Sequence, residues 1–203
     1  MAPGVAIRAG ARAVAVVAAI ALGLAASTLA DGPPSLSFNP FDDAAEGEEA
    51  AYRFRLSGAG AVAGAGDEWV LALRIGRVGE RSVVVRHAGD GDPIEVEAAR
   101  GPDGRDAVSL LRVVVPDLAA GGTTEVAPET VEVGGVRYEA ERVAHVVTTE
   151  VEGIETTERL TAWFAPEAPV AGLVKLVATV AVSAPGEPAT ETRIEAELVP
   201  PRK

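Results

Sequence analysis

Ala50-Ala51-Tyr52-Arg53-Phe54-Arg55-Leu56-Ser57 is the stretch that decides the fold. Ala50, Tyr52, Phe54 and Leu56 take every second position, with Ala51, Arg53, Arg55 and Ser57 between them. A period of two sends successive side chains to opposite faces of an extended chain. The octapeptide therefore reads as a strand with one face buried and one wet. A helix would space its apolar residues three and four apart.

The same period recurs downstream. Trp69, Leu71, Leu73 and Ile75 form the next inward row, Gly79-Glu80 turns, and residues 83–87 run back. Residues 58–66 are glycine-rich and unpatterned, which reads as a flexible loop. Asp90-Gly91-Asp92-Pro93 and Gly101-Pro102-Asp103-Gly104 are turns on either side of Ile94, Val96 and Ala98. Residues 107–115 are apolar on both faces and stop at Pro116, which predicts a further strand. A loop over 117–128 leads to a short strand at 129–133, and Gly134-Gly135 turns it into a long one at 136–151.

That long strand changes parity. Val136, Tyr138 and Ala140 share one face, whereas Val143, His145, Val147 and Val151 share the other. A one-residue slip flips every side chain, so a bulge is expected near Glu141-Arg142. Residues 157–165 pair back, Pro166 and Pro169 interrupt, residues 170–182 form a long apolar strand, and Thr192, Ile194, Ala196 and Leu198 alternate in the last.

About ten strands with short turns, and no helical pattern beyond residue 30, predict an all-β antiparallel domain. The expected architecture is a single meander curled into a half-open barrel, with a two-sheet β-sandwich as the alternative.

Ahead of the domain lies an export signal. Arg8 and Arg12 precede an apolar run over 13–26, and Ser27-Thr28-Leu29-Ala30 follows. A positive region, an apolar stretch and small residues at a cleavage site make a secretory signal peptide. The alternative is a retained anchor, but this run is alanine-rich and short against the roughly 20 residues of a spanning helix. Cleavage after Ala30 places the protein in the periplasm or outside the cell, with membrane contact only through an uncleaved signal. Residues 31–49, with Pro33, Pro34, Pro40 and five acids after Phe41, read as an acidic flexible leader on which Phe38 and Phe41 can tuck back. Residues 50–203 are then the single domain.

Composition removes several functions. The net charge is −12, and loss of Arg8 and Arg12 with the signal makes it −14. Such a chain has no electrostatic footprint for nucleic acid, since phosphate binding needs clustered Lys and Arg. There is no cysteine, so neither a disulfide nor a lipid-modified cysteine anchor is available. No Gly-x-Ser-x-Gly occurs, and the serines after the signal (Ser35, Ser37, Ser57, Ser82, Ser109, Ser183) lack a motif around them. His87 and His145 are the two histidines, too few to make a zinc site. The acids at Asp90, Asp92 and Glu95 and at Asp103 and Asp106 lack the spacing of a calcium loop and read as solvated turns. Lys175, alone among the strands, reads as an outward lysine with its stem along the sheet. No catalytic residue, metal or cofactor is expected.

One segment carries a resemblance. Glu-Thr-Val-Glu-Val-Gly-Gly-Val-Arg-Tyr-Glu-Ala over 129–140 is followed by a hairpin, then Trp163, then Pro-Glu-Ala-Pro-Val-Ala-Gly-Leu-Val-Lys over 166–175. In this order residues 129–182 resemble uncharacterised exported bacterial proteins with a half-barrel like that of the lipoprotein carriers of the Lol system. The resemblance implies a half-barrel and an apolar, lipid-like ligand. Those carriers also lay helices over the sheet, for which this sequence gives no signal.

Tyr52, Phe54, Trp69, Leu71, Leu73, Tyr138, Trp163 and Leu176 are the residues expected inside the concave face, either as ligand contacts or as plain core. The expected function is an exported, non-enzymatic β-domain that binds a lipid-like or apolar ligand. The alternative is a structural or protein-interaction module of the cell envelope, with an envelope protein as its partner.

Overall fold

The computed structural model describes residues 34–58, 68–88 and 92–200. The expected signal peptide, most of the loop over 58–66 and the Asp90-Gly91 part of a turn lie outside the described residues. Nine strands form one antiparallel sheet: β1 (Glu49–Gly58), β2 (Glu68–Val78), β3 (Ser82–Ala88), β4 (Ile94–Ala99), β5 (Thr123–Val133), β6 (Val136–Val151), β7 (Ile154–Phe164), β8 (Leu173–Ser183) and β9 (Thr190–Leu198). A 3-10 turn, Gly101–Arg105, and one helix, α1 (Ala107–Val114), stand between β4 and β5.

The strand order is β4-β3-β2-β1-β9-β8-β7-β6-β5. Strands 1 to 4 step outward to one edge, and strands 5 to 9 step back inward from the other until β9 meets β1. The single meander is thus two meanders sharing a central seam. It is an up-and-down ring opened between β4 and β5, and α1 contacts both of those strands. Nine strands at about 4.8 Å spacing would span roughly 38 Å if flat. A helix only about 10–12 Å wide cannot touch both edges of a flat sheet. The sheet therefore curls around α1, and the architecture is all-β and half-open.

Residues 107–114 are helical where a strand was expected. Ala107, Leu110, Leu111 and Val113 face the core, a spacing that suits a helix as well as a two-faced strand. The decision is local: Asp106 Oδ1 accepts the amide of Ser109 at 2.7 Å, which caps the first turn.

The bulge expected at Glu141-Arg142 is also absent. Register runs unbroken through both residues toward β5 and toward β7. Instead β6 outruns β7, which pairs with it only from Glu141 to Val151. The overhang, residues 136–140, has β5 as its only strand neighbour, so its other edge is unpaired by strand. Tyr138 and Ala140 join the core from there, and the Gly134 end of the hairpin reaches Pro200. The sheet's irregularities fall at Ile75–Arg77 and at Trp163–Phe164.

Residues 34–48 are not an extended leader. Phe41 is wholly buried and Leu36 nearly so. Asn39 Nδ2 donates to Gly101 O at 2.8 Å while its Oδ1 accepts from Phe41 N at 2.9 Å. Arg100 donates to Phe41 O and to Gly79 O. Together with residues 165–172, this segment floors one end of the curled sheet.

Candidate functional site

Register assigns each side chain to a face. Trp69, Phe54, Ala196, Leu176, Ala162, Val143 and Val126 form one unbroken cross-strand row. This is the inner face, because Ala196, Leu176, Ala162 and Val143 are buried in the same core as Leu110, Leu111 and Val113 of α1. Tyr52, Leu71 and Leu73 share that face by alternation along β1 and β2.

Of the eight expected site residues, six therefore line the inside. Tyr52, Leu73 and Leu176 are packed core, whereas Phe54, Leu71 and Trp69 are half-buried. Phe54 and Trp69 stack, with ring centroids 5.3 Å apart and planes at 17°. The other two have the opposite parity, although Tyr138 is buried in the same core. Trp163 pairs with Arg142 and Lys175 on the outer face, and its buried indole N–H has no partner. Tyr138 shares that parity but is buried through the overhang.

Burial falls along the inner face of β1, β9 and β8. At the floored end Tyr52, Leu73, Ile75, Val85 and Leu198 are 3% exposed or less. The next row outward is Leu56, Ile194, Ala178, Leu160, His145 and Thr124. Beyond it runs Gly58, Thr192, Val180, Glu158 and Val147. Leu56, Ile194 and Val180 are half-buried, whereas the core proper reaches out only as far as Phe54, Leu71 and Ala178. On β1, β9 and β8 the inner face thus ends in a half-covered apolar mouth, whereas His145, Leu160, Val147 and Thr156 stay buried on β6 and β7.

Glu158 is the one carboxylate in those two outer rows. It is half-buried and has no hydrogen bond or ion pair among the described residues. Burial raises its carboxyl above the usual glutamate range.

Both histidines face inward, one on each side of α1. His87 Nε2 lies 2.6 Å from Val113 O. A carbonyl only accepts, so Nε2 carries the proton and satisfies a carbonyl that the helix end leaves open. His145 Nδ1 lies 2.8 Å from Thr124 Oγ1, and its buried Nε2 has no partner. Burial lowers both imidazoles below the ordinary value, with the nearby Arg112 cation as a second cause at His145.

The outer face is ionic. Lys175 Nζ meets Glu197 at 2.9 Å, Arg55 meets Glu68 at 3.1 Å, and Arg142 meets Glu129 at 3.0 Å. Lys175 is the outward lysine that its position implied. An open hollow of about 420 Å³ beside the floored end is lined by Glu46, Gly47, Arg74, Ile75, Gly76 and Arg86. Two acids of the expected solvated turns have local partners: Asp106 caps α1, and Glu95 pairs with Arg86 at 2.6 Å. Among the described residues no group of three His, Asp or Glu is placed to hold a metal ion, and no helix is long and apolar enough to cross a membrane.

The fold and face together define a class: an open antiparallel sheet curled about one helix, with an apolar mouth inside and a charged surface outside. No family model, no curated protein and no solved structure matches this chain.

Proposed function

We propose that this chain is an exported β-domain without catalytic activity that holds an apolar or lipid-like molecule against the inner face of its sheet. The observation that carries the reading is the fall in burial along that face. Packed core at the floored end gives way to Phe54, Trp69, Leu56, Ile194 and Val180, which are apolar, inward-facing and only half covered. Burying ten methylenes in such a place contributes roughly 8 kcal/mol. That corresponds to about micromolar affinity before the entropic cost of association. The signal-like segment at residues 8–30 supports export, and the resemblance of residues 129–182 to Lol-type half-barrels points to the same ligand class.

The second reading, an interaction module of the envelope, would use a sheet edge. Both edges are guarded. β4 has six residues, and β5 carries Pro128 midway among Glu125, Glu129 and Glu132. The inner face is the better candidate.

The test is mass spectrometry of the organic extract of protein purified without detergent from a bacterial envelope. A stoichiometric lipid is expected. An empty protein whose tryptophan fluorescence does not respond to dodecanol would rule the reading out.

A further inference from the structure

From the placement of Glu158 we infer that the mouth of the inner face selects an amphiphile whose head is cationic and donates hydrogen bonds, with the Glu158 carboxylate as its acceptor. This rests on the apolar-ligand reading and adds a head-group specificity to it.

Glu158 stands directly opposite Val180 on β8 and Val147 on β6. Its own-strand neighbours on the same face are Leu160 and Thr156, both buried. A carboxylate set among Val180, Val147, Leu160 and Thr156 is partly desolvated and unpaired, which disfavours folding unless something compensates. No cation among the described residues pairs with it. Arg53, Arg55, Arg142, Lys175 and Arg193 all pair with acids on the outer face. Arg112 on α1 is the cation felt at His145, one row inward, and it is not a cause of the Glu158 shift. The acceptor capacity of Glu158 is therefore free at the place where an aliphatic chain lying along Leu56, Ile194 and the Phe54–Trp69 stack would present its polar end. A carboxylate repels an anionic head, gains nothing from a bare methyl end and forms a charge-assisted hydrogen bond with an ammonium. Charge complementarity thus singles out the cationic head.

The experiment is calorimetric titration of the full domain at pH 7 with three probes of equal chain length: dodecylamine, dodecanol and dodecanoate. A charge-assisted hydrogen bond predicts that the amine binds about tenfold tighter than the carboxylate or more. Glu158→Gln, which keeps the shape and removes the charge, should lower amine affinity by about the same factor and bring the two probes together. Val180→Lys supplies an ammonium opposite Glu158 and should abolish amine preference by occupying the acceptor. Circular dichroism verifies that both variants are folded. Equal binding of amine and carboxylate, or an amine preference that survives Glu158→Gln, overturns the assignment and leaves the apolar site intact. Failure of all three probes to bind overturns the apolar site, and this inference with it.

Discussion

The hydroxyl of Tyr52 on β1 donates to the main-chain carbonyl of Leu173 at the start of β8, 3.0 Å away. The carbonyl of Val170 lies 3.3 Å from the same hydroxyl. The contact sits beside an unusual turn: Val170, Ala171 and Gly172 have φ of 40°, 62° and 65°. Two non-glycine residues in the left-handed region, one of them β-branched, persist only where the surroundings hold them. Burial first, then Tyr138 and Glu48, push the phenol far above its ordinary ionisation range. Tyr52→Phe should destabilise the fold by about 1–3 kcal/mol, because it leaves buried carbonyls unsatisfied. A urea titration should show a lower midpoint at unchanged slope.

Helix α1 gives a second prediction. Asp106→Ala removes the side chain that caps Ser109 and should destabilise by about 1 kcal/mol. Leu111→Ala, at a fully buried position, should cost about 2–5 kcal/mol through lost burial and the cavity left behind. Thermal denaturation of the two variants checks the ordering.

Acid should weaken the fold through its histidines. Both imidazoles are lowered in the folded protein, so the unfolded chain binds protons first, near pH 6.5. Their contribution is present above that pH and is lost as pH falls through the lowered folded values. His145→Phe should flatten part of the decline, read from urea midpoints at a series of pH values from 7 downward.

Glu158 acts in the opposite sense. Its carboxyl is raised in the folded state, so the folded protein binds the proton first. The group lowers stability once pH rises past the ordinary carboxylate range of about 4.3. Glu158→Gln should therefore raise the melting temperature at pH 7, with the gain vanishing near pH 4. A stabilising substitution in the mouth is what a position retained for binding predicts.

Much of the sheet is legible in the chain. Tyr52, Phe54, Trp69, Leu71 and Leu73 declare an inward row by alternation alone, and Gly134-Gly135, with φ of 59° and 79°, marks its hairpin. The misread segments share one cause: a local pattern compatible with two structures. Ala107-Val108-Ser109-Leu110-Leu111-Arg112-Val113-Val114 satisfies both periods, and the deciding signal was the Asp106–Ser109 cap spacing. Tyr138 and Val143 imply a bulge only if one layer covers the whole strand. In β6 both parities are buried, Tyr138 and Ala140 on one and Val143, His145 and Val147 on the other, and no bulge is needed. Phe41, expected to tuck back from the acidic leader, is wholly buried, whereas Asn39 in the same stretch has partners some sixty residues away at Ala99 and Gly101 that no local pattern announces.

The sequence by itself determined the strands, their turns and the inward parity of most of them, because alternation and turn chemistry act between neighbours along the chain. It also carried the outward position of Lys175. Only the tertiary structure decided that the ring opens between β4 and β5, that α1 fills the opening, and that Glu158 stands unpaired among apolar neighbours. Those features depend on which rows of a curled sheet meet across space. The row holding Gly58, Thr192, Val180, Glu158 and Val147 draws on five strands and has no counterpart in any local stretch of sequence.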